Sequence, residues 1–256
     1  MSKRRRFLVT SLALALGFIG IQLLSDQYKF ISIAGLGILT LVLFFWSLRE
    51  GLALNLTLLT LVLPFFFTLG VGFFWFLLPS TLLARIPIIL VYGVGIYALC
   101  LTSNIYTVAA IRTIALLRAA RGVGFVISLF TFFLVYDAIL SFKGSIVYSS
   151  LAIYILSFPL FLHGFWTTTL GKKFDWLIIR SSLITSLVVA EVAVTIFFWP
   201  VSVVVGSLFL TVFVYMLLGL GQADLEGRLF SQTIREYLVV GVLVFFGMIL
   251  ATHWGG

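Results

Sequence analysis

Residues Trp176 to Phe198 read WLIIRSSLITSLVVAEVAVTIFF. Only Arg180 and Glu191 are charged in this run. Its length suits a helix crossing a hydrocarbon layer about 30 Å thick, which needs roughly 20 apolar residues. A helix on the surface of a soluble protein would carry one polar face, whereas Leu, Ile, Val and Phe surround this one on all sides. The segment predicts a membrane-spanning helix.

The rest of the chain repeats that pattern. Of 256 residues, 62% are hydrophobic and 9% charged, with a mean hydropathy of +1.26, well outside the range of soluble domains. Apolar runs of spanning length predict helices at 7–24, 29–46, 52–78, 87–110, 123–142, 146–167, 176–198, 201–219 and 235–252. The expected fold is therefore all-α, a polytopic transmembrane helical bundle of about nine spans, or eight, forming a single transmembrane domain over 1–256 with no separate soluble domain. Two runs are ambiguous. Pro64 divides the third, which is either one kinked helix or a broken pair, and Trp199-Pro200 leaves a tight turn before the eighth.

The longest polar stretch, Gly221 to Tyr237, is too short for an ATPase, a kinase or a nucleic-acid-binding module. The formal net charge of +8 does not point to nucleic acid, because the basic residues lie between apolar runs. The one cysteine, Cys100, supports neither a disulfide nor a cysteine metal site within the chain. No cofactor motif is visible.

Short cytoplasmic segments carry an excess of Lys and Arg. One set of alternate segments holds Lys3, Arg4, Arg5, Arg6, Arg49, Arg112, Arg118, Arg121, Lys172, Lys173, Arg228 and Arg235, with Arg180 just inside the following helix. The other set holds Lys29, Arg85 and Lys143. This asymmetry predicts a cytoplasmic N-terminus and an outer C-terminus. Tryptophan, which prefers the headgroup level, gives the same division: Trp46, Trp166 and Trp176 fall at inner ends and Trp75, Trp199 and Trp254 at outer ends. The first run begins with basic residues and contains Ala13-Leu14-Ala15, as a signal peptide would. Its full spanning length favours an uncleaved anchor.

Ionisable groups inside a bilayer cost about 2.5–3.5 kcal/mol each on insertion scales, so each one marks a candidate polar site. Glu191 lies deepest. Arg180, eleven residues earlier, falls within about 20° of the same helix face but ~16 Å away along the axis. Ser182, Ser186 and Ala190 recur every four residues and would admit a closely packed neighbour, with Glu191 hydrogen-bonded to it. Asp137 in the fifth span lies at a similar depth. If the fifth and seventh helices touch, the two carboxyls could share a proton or cation; otherwise Asp137 reaches the headgroups or pairs with Arg85 or Lys143. His163, four residues after Pro159, reads as an interior histidine, since His253 lies at the opposite face and no ligand cluster accompanies either.

Tyr136-Asp137 invites comparison with intramembrane aspartyl proteases, which follow such a pair with Gly-x-Gly-Asp. The nearest counterpart here, Gly219-Leu220-Gly221-Gln222-Ala223-Asp224, has two extra residues and lies three spans later on the opposite face, so no dyad is expected.

The segment IRTIALLRAAR, Ile111 to Arg121, suits an interfacial helix with Arg112, Arg118 and Arg121 toward the headgroups of an anionic inner leaflet. The cytoplasmic loop 221–237 is a candidate protein-docking segment. SNIYTVAAIRTIALLRAARGVGF (103–125) and FFWPVSVVVGSLFLTVFVYMLLGLGQADLEGRLFSQTIREYLVVGVLVFFGMILATHW (197–254) resemble uncharacterised multi-span membrane proteins of small-genome bacterial lineages. That resemblance implies a bacterial cytoplasmic (inner) membrane and transfers no activity. Three functions remain open: a non-catalytic membrane scaffold or assembly subunit; a small permease or channel using Glu191 and Asp137; and an intramembrane enzyme acting on lipid-linked substrates.

Overall fold

The computed structural model describes residues 2–22, 24, 26–52, 56–77, 82–111, 115–171 and 175–252. Among these there are nine α-helices and no strand: α1 (Lys3–Gln22), α2 (Asp26–Leu48), α3 (Val62–Phe76), α4 (Leu82–Ala109), α5 (Leu117–Ser141), α6 (Ile146–Thr169), α7 (Trp176–Phe197), α8 (Val203–Leu225) and α9 (Ser231–Leu250). Helices satisfy their own backbone donors and acceptors, as a bilayer requires. Eight of the nine are long and apolar enough to cross a membrane. The exception is α1, whose first turn is taken up by Lys3-Arg4-Arg5-Arg6.

The ambiguous third run resolves into a 3-10 turn, Leu56–Leu61, followed by α3. Pro64 occupies the first turn of α3, where a missing N–H costs no intrahelical bond. The eighth helix starts at Val203, after Pro200, with Ser202 Oγ accepting from Val205 N at 3.4 Å.

Two stretches expected to be loops or interfacial segments continue the spans. The predicted loop 221–237 shrinks to Glu226–Phe230, because α8 runs on through Asp224 and α9 begins at Ser231. Gly227, at φ 65°, stops α8: its N–H bonds to the Asp224 carbonyl and that of Arg228 to Ala223. Arg118 and Arg121 lie in the first two turns of α5, not on a separate interfacial helix. An apolar run marks hydrocarbon, whereas backbone hydrogen bonding carries a helix onward among the headgroups.

The chain divides into two compact units, Met1–Thr131 with Leu170–Lys173, and Phe132–Thr169 with Phe174–Gly256; the division falls within α5. In the first unit α1 packs on α2 and α4, and α3 packs on α2 and α4. Phe67 and Tyr92 stack with ring centroids 5.8 Å apart. Around them, Thr40 and Thr68 are linked at 3.0 Å and Thr68 and the Tyr92 hydroxyl at 3.1 Å. Gly95 lets the Phe67 ring approach, since a Cβ there would stand 2.6 Å from it. In the second unit α6 lies against α7 and α8, and α9 packs on α8. Phe132, Phe161, Phe165 and Trp166 fill its interior.

Apolar side chains also cover the outside of both units, Leu16, Ile31, Val94 and Leu250 among them. In lipid, burial of Leu or Ile provides little to tell inside from outside, so small and hydroxyl residues mark the helix contacts. Thr10, Thr40, Ser47, Thr68, Ser157, Ser182, Ser186 and Ser207 are all buried. Trp75 and Trp166, expected at the headgroups, are buried as well, packed among neighbouring side chains. Trp254 lies outside the described residues.

Candidate functional site

α7 separates small residues from charged ones. Asp175 caps its start, accepting from Leu177 N at 3.0 Å. Ser182, Ser186 and Ala190 are buried, and α6 and α8 are the helices packed on α7. The predicted close-approach stripe therefore exists and is used inside the second unit. Glu191 is not part of it. Arg180, Ile184, Leu187, Glu191 and Thr195 form an exposed stripe on another face, because successive residues turn by 100°.

Glu191 stands six residues, about 9 Å, in from the C-terminal end of α7. Helical side chains lean toward the N-terminus, so this carboxyl leans toward the middle of the span and away from the nearer headgroups. Among the described residues no donor reaches it. Arg180, near the other end of the helix, is also exposed. Thr195 Oγ1 donates to the Val192 carbonyl at 2.7 Å and so is spent within α7.

Asp137 is placed quite differently. It is 2% exposed, and Ser207 Oγ on α8 donates to its Oδ1 at 3.4 Å. Beside it the Tyr136 hydroxyl and Ser157 Oγ on α6 are 2.7 Å apart. The structure thus assigns Asp137 to the interior of the second unit and Glu191 to its exterior, so they share no site. Asp137 has a partner in Ser207 instead of the headgroups or Lys143, and Arg85 lies over the Trp75 ring at 5.1 Å.

His163 is buried on α6, its ring 6.4 Å from that of Trp166. Arg118 is exposed and Arg121 half-buried. Arg112, Lys172, Lys173 and His253 lie outside the described residues. Gln222, from the predicted docking loop, is on α8 and donates to the Gly164 carbonyl at 2.9 Å. Asp224 closes the same helix, so the aspartyl-protease spacing falls on ordinary helix.

The structure adds a charged cluster in the first unit. The Glu50 carboxylate, after the end of α2, pairs with the Lys3 amine at 3.1 Å and with the Arg6 guanidinium. Arg6 is 2% exposed. The signal was present in Arg49-Glu50, since Asp26 and Glu50 are the only acids before Asp137.

The hydrogen bond from Lys3, then that from Arg6, holds the Glu50 carboxyl below its ordinary value of 4.5. A depressed carboxyl stabilises the fold above the unfolded group's pKa and loses that contribution as pH falls through the folded value. Thermal melts from pH 7 down to pH 3 are expected to show a steeper acid decline for the wild type than for Glu50→Gln. Parallel declines would dismiss the pairing as a source of stability.

Among the described residues, nine helices, eight of them of spanning length and composition, with charged groups few and confined to helix ends and isolated intramembrane positions, define a multi-pass α-helical membrane protein. The chain belongs to a family described as protein of unknown function (DUF5656), whose model matches residues 9–251. No curated protein and no solved structure matches it.

Proposed function

We propose that the protein is a non-catalytic subunit of a larger membrane assembly, held to a partner through the exposed face of α7. The observation that carries this reading is Glu191. A carboxyl in hydrocarbon with no donor is costly, and a neighbouring transmembrane helix with a donor at the same depth would remove that cost. A second copy of the chain is a poor occupant. A two-fold axis along the membrane normal brings like residues together at each level, which sets Glu191 against Glu191 and Arg180 against Arg180. The fitting partner is a helix of another protein carrying Lys, Arg, His, Asn or Gln opposite Glu191.

The basic-residue asymmetry supports a cytoplasmic N-terminus in this proposal. It and the resemblance support a bacterial inner membrane. The ends of Arg118 and Arg121 then face an anionic leaflet, and the short turn Glu226–Phe230 offers the partner a second contact.

The test places a benzophenone amino acid at position 191 in native membranes, with a single cysteine at 191 in a Cys100→Ala background as its companion. Expected are an adduct to a transmembrane peptide of another protein bearing one of those donors, and no labelling of the cysteine by a membrane-impermeant maleimide from either side. Adducts to lipid alone or to a second copy would refute the docking face. Labelling from the aqueous phase would refute it too, in favour of a permease.

A further inference from the structure

A second feature, in the first unit, is independent of α7. Arg6 lies on the first two turns of α1, almost completely buried, and Glu50 engages one of its guanidinium nitrogens. Nε and the second terminal nitrogen, Nη1, are buried and find no hydrogen-bond partner among the described residues. Buried donors are satisfied in the great majority of cases, and a charged one left without an acceptor is especially unfavourable. Its surroundings select for an anion. Lys3, Arg4, Arg5, Arg6 and Arg49 gather at this end of the unit against the single acid Glu50.

The backbone adds donors of its own. The first turn closes with Arg6 N bonding to the Ser2 carbonyl, so the N–H groups of Lys3, Arg4 and Arg5 precede the helical ladder. A helix N-terminus with free N–H groups and a positive dipole end favours oxyanions. Ser47 Oγ donates to the Arg6 carbonyl at 3.5 Å and also meets Thr10 Oγ1 at 2.7 Å, which ties α1 to α2 at this level and fixes the arginine's backbone.

We propose that a phosphate group binds at this end of the first unit, on the free donors of Arg6, with the Lys3 amine and the first-turn N–H groups of α1 around it. Glu50 orients the guanidinium through one nitrogen and leaves the others for the ligand. An arginine fork supplies directed donors to phosphate oxygens, which a lysine ammonium does not. The phosphate is either that of an anionic lipid headgroup or a free phosphate.

The experiment uses the full chain in maltoside micelles, which contain no phosphate. Calorimetric titration compares dioctanoyl phosphatidylglycerol, inorganic phosphate and, as the phosphate-free control, dioctanoylglycerol. The wild type is expected to bind at least one phosphate probe and not the control. Arg6→Gln should weaken binding about tenfold and Arg6→Lys nearly as much, while Arg235→Gln, exposed on α9 of the second unit, changes it less than twofold. Lys3→Gln, which removes a half-exposed amine and leaves the Arg6–Glu50 pair in place, should weaken it about threefold and guards against misfolding of the Arg6 variants. Binding of the lipid alone assigns a headgroup, and binding of inorganic phosphate a free anion. Failure of both phosphate probes, or wild-type affinity in both Arg6→Gln and Lys3→Gln, would overturn the proposal.

Discussion

Glu191→Leu is expected to strengthen membrane insertion of the α7 segment by about 2–3 kcal/mol, roughly 30- to 150-fold in the ratio of inserted to uninserted chain. The carboxyl is exposed on a spanning helix and leans toward its middle, so no headgroup relieves it. Resistance of the folded protein to unfolding should change by less than about 0.5 kcal/mol. In a membrane the unfolded chain keeps its spans inserted, and the side chain meets lipid in both states. Association should behave in the opposite way to insertion: crosslinking of the partner from Leu187, on the same exposed stripe, should disappear. Insertion is measured by glycosylation mapping of α7, stability by denaturant unfolding in bilayers. A destabilisation of several kcal/mol in the isolated chain would show that Glu191 is satisfied internally and would sink the docking reading.

Phe161→Ala should destabilise the second unit by about 3–5 kcal/mol, the usual range for emptying a buried aromatic site. Phe161 is fully buried on α6, its ring centroid 5.0 Å from that of Phe132 and 5.9 Å from that of Phe165. These rings meet where α5 and α6 come together, and packing of this kind is what holds spans to one another when lipid is as apolar as the side chains. A double-mutant cycle with Phe132→Ala should return a coupling of about 0.5–1.5 kcal/mol. Phe246→Ala, exposed on α9, serves as the control and should stay within about 0.5 kcal/mol. Denaturant unfolding in bilayers measures all five proteins, the wild type, the two single variants, the double variant and the control. A cost below 1 kcal/mol for Phe161→Ala would mean that the interior of the unit lies elsewhere.

The helices themselves were largely legible, because about 20 consecutive apolar residues match the thickness of a bilayer and exceed what one helix of a small soluble domain buries. Their ends were not. α8 continues through Gln222 and Asp224, and α5 already includes Arg118 and Arg121, since polar residues at the headgroup level neither break a helix nor announce one. The small-residue stripe on α7 was readable as a contact face, and Ser182, Ser186 and Ala190 are indeed buried. Which side of that stripe Glu191 occupies depended on where α6 and α8 pack, and periodicity alone does not say that.

Composition and hydropathy by themselves determined the all-α class, the spans and the confinement of charge to a few positions. These follow from the bilayer acting as solvent on each segment separately. Only the tertiary structure decided that Asp137 is an interior group bonded to Ser207, that Glu191 faces outward, and that Arg6 and Lys3 meet on Glu50. Asp137 and Glu191 are both carboxyls at similar depth in apolar helices, so nothing local separates them. The difference comes from the neighbouring helices, and in a membrane those neighbours are chosen by close packing and hydrogen bonding, which no single segment specifies.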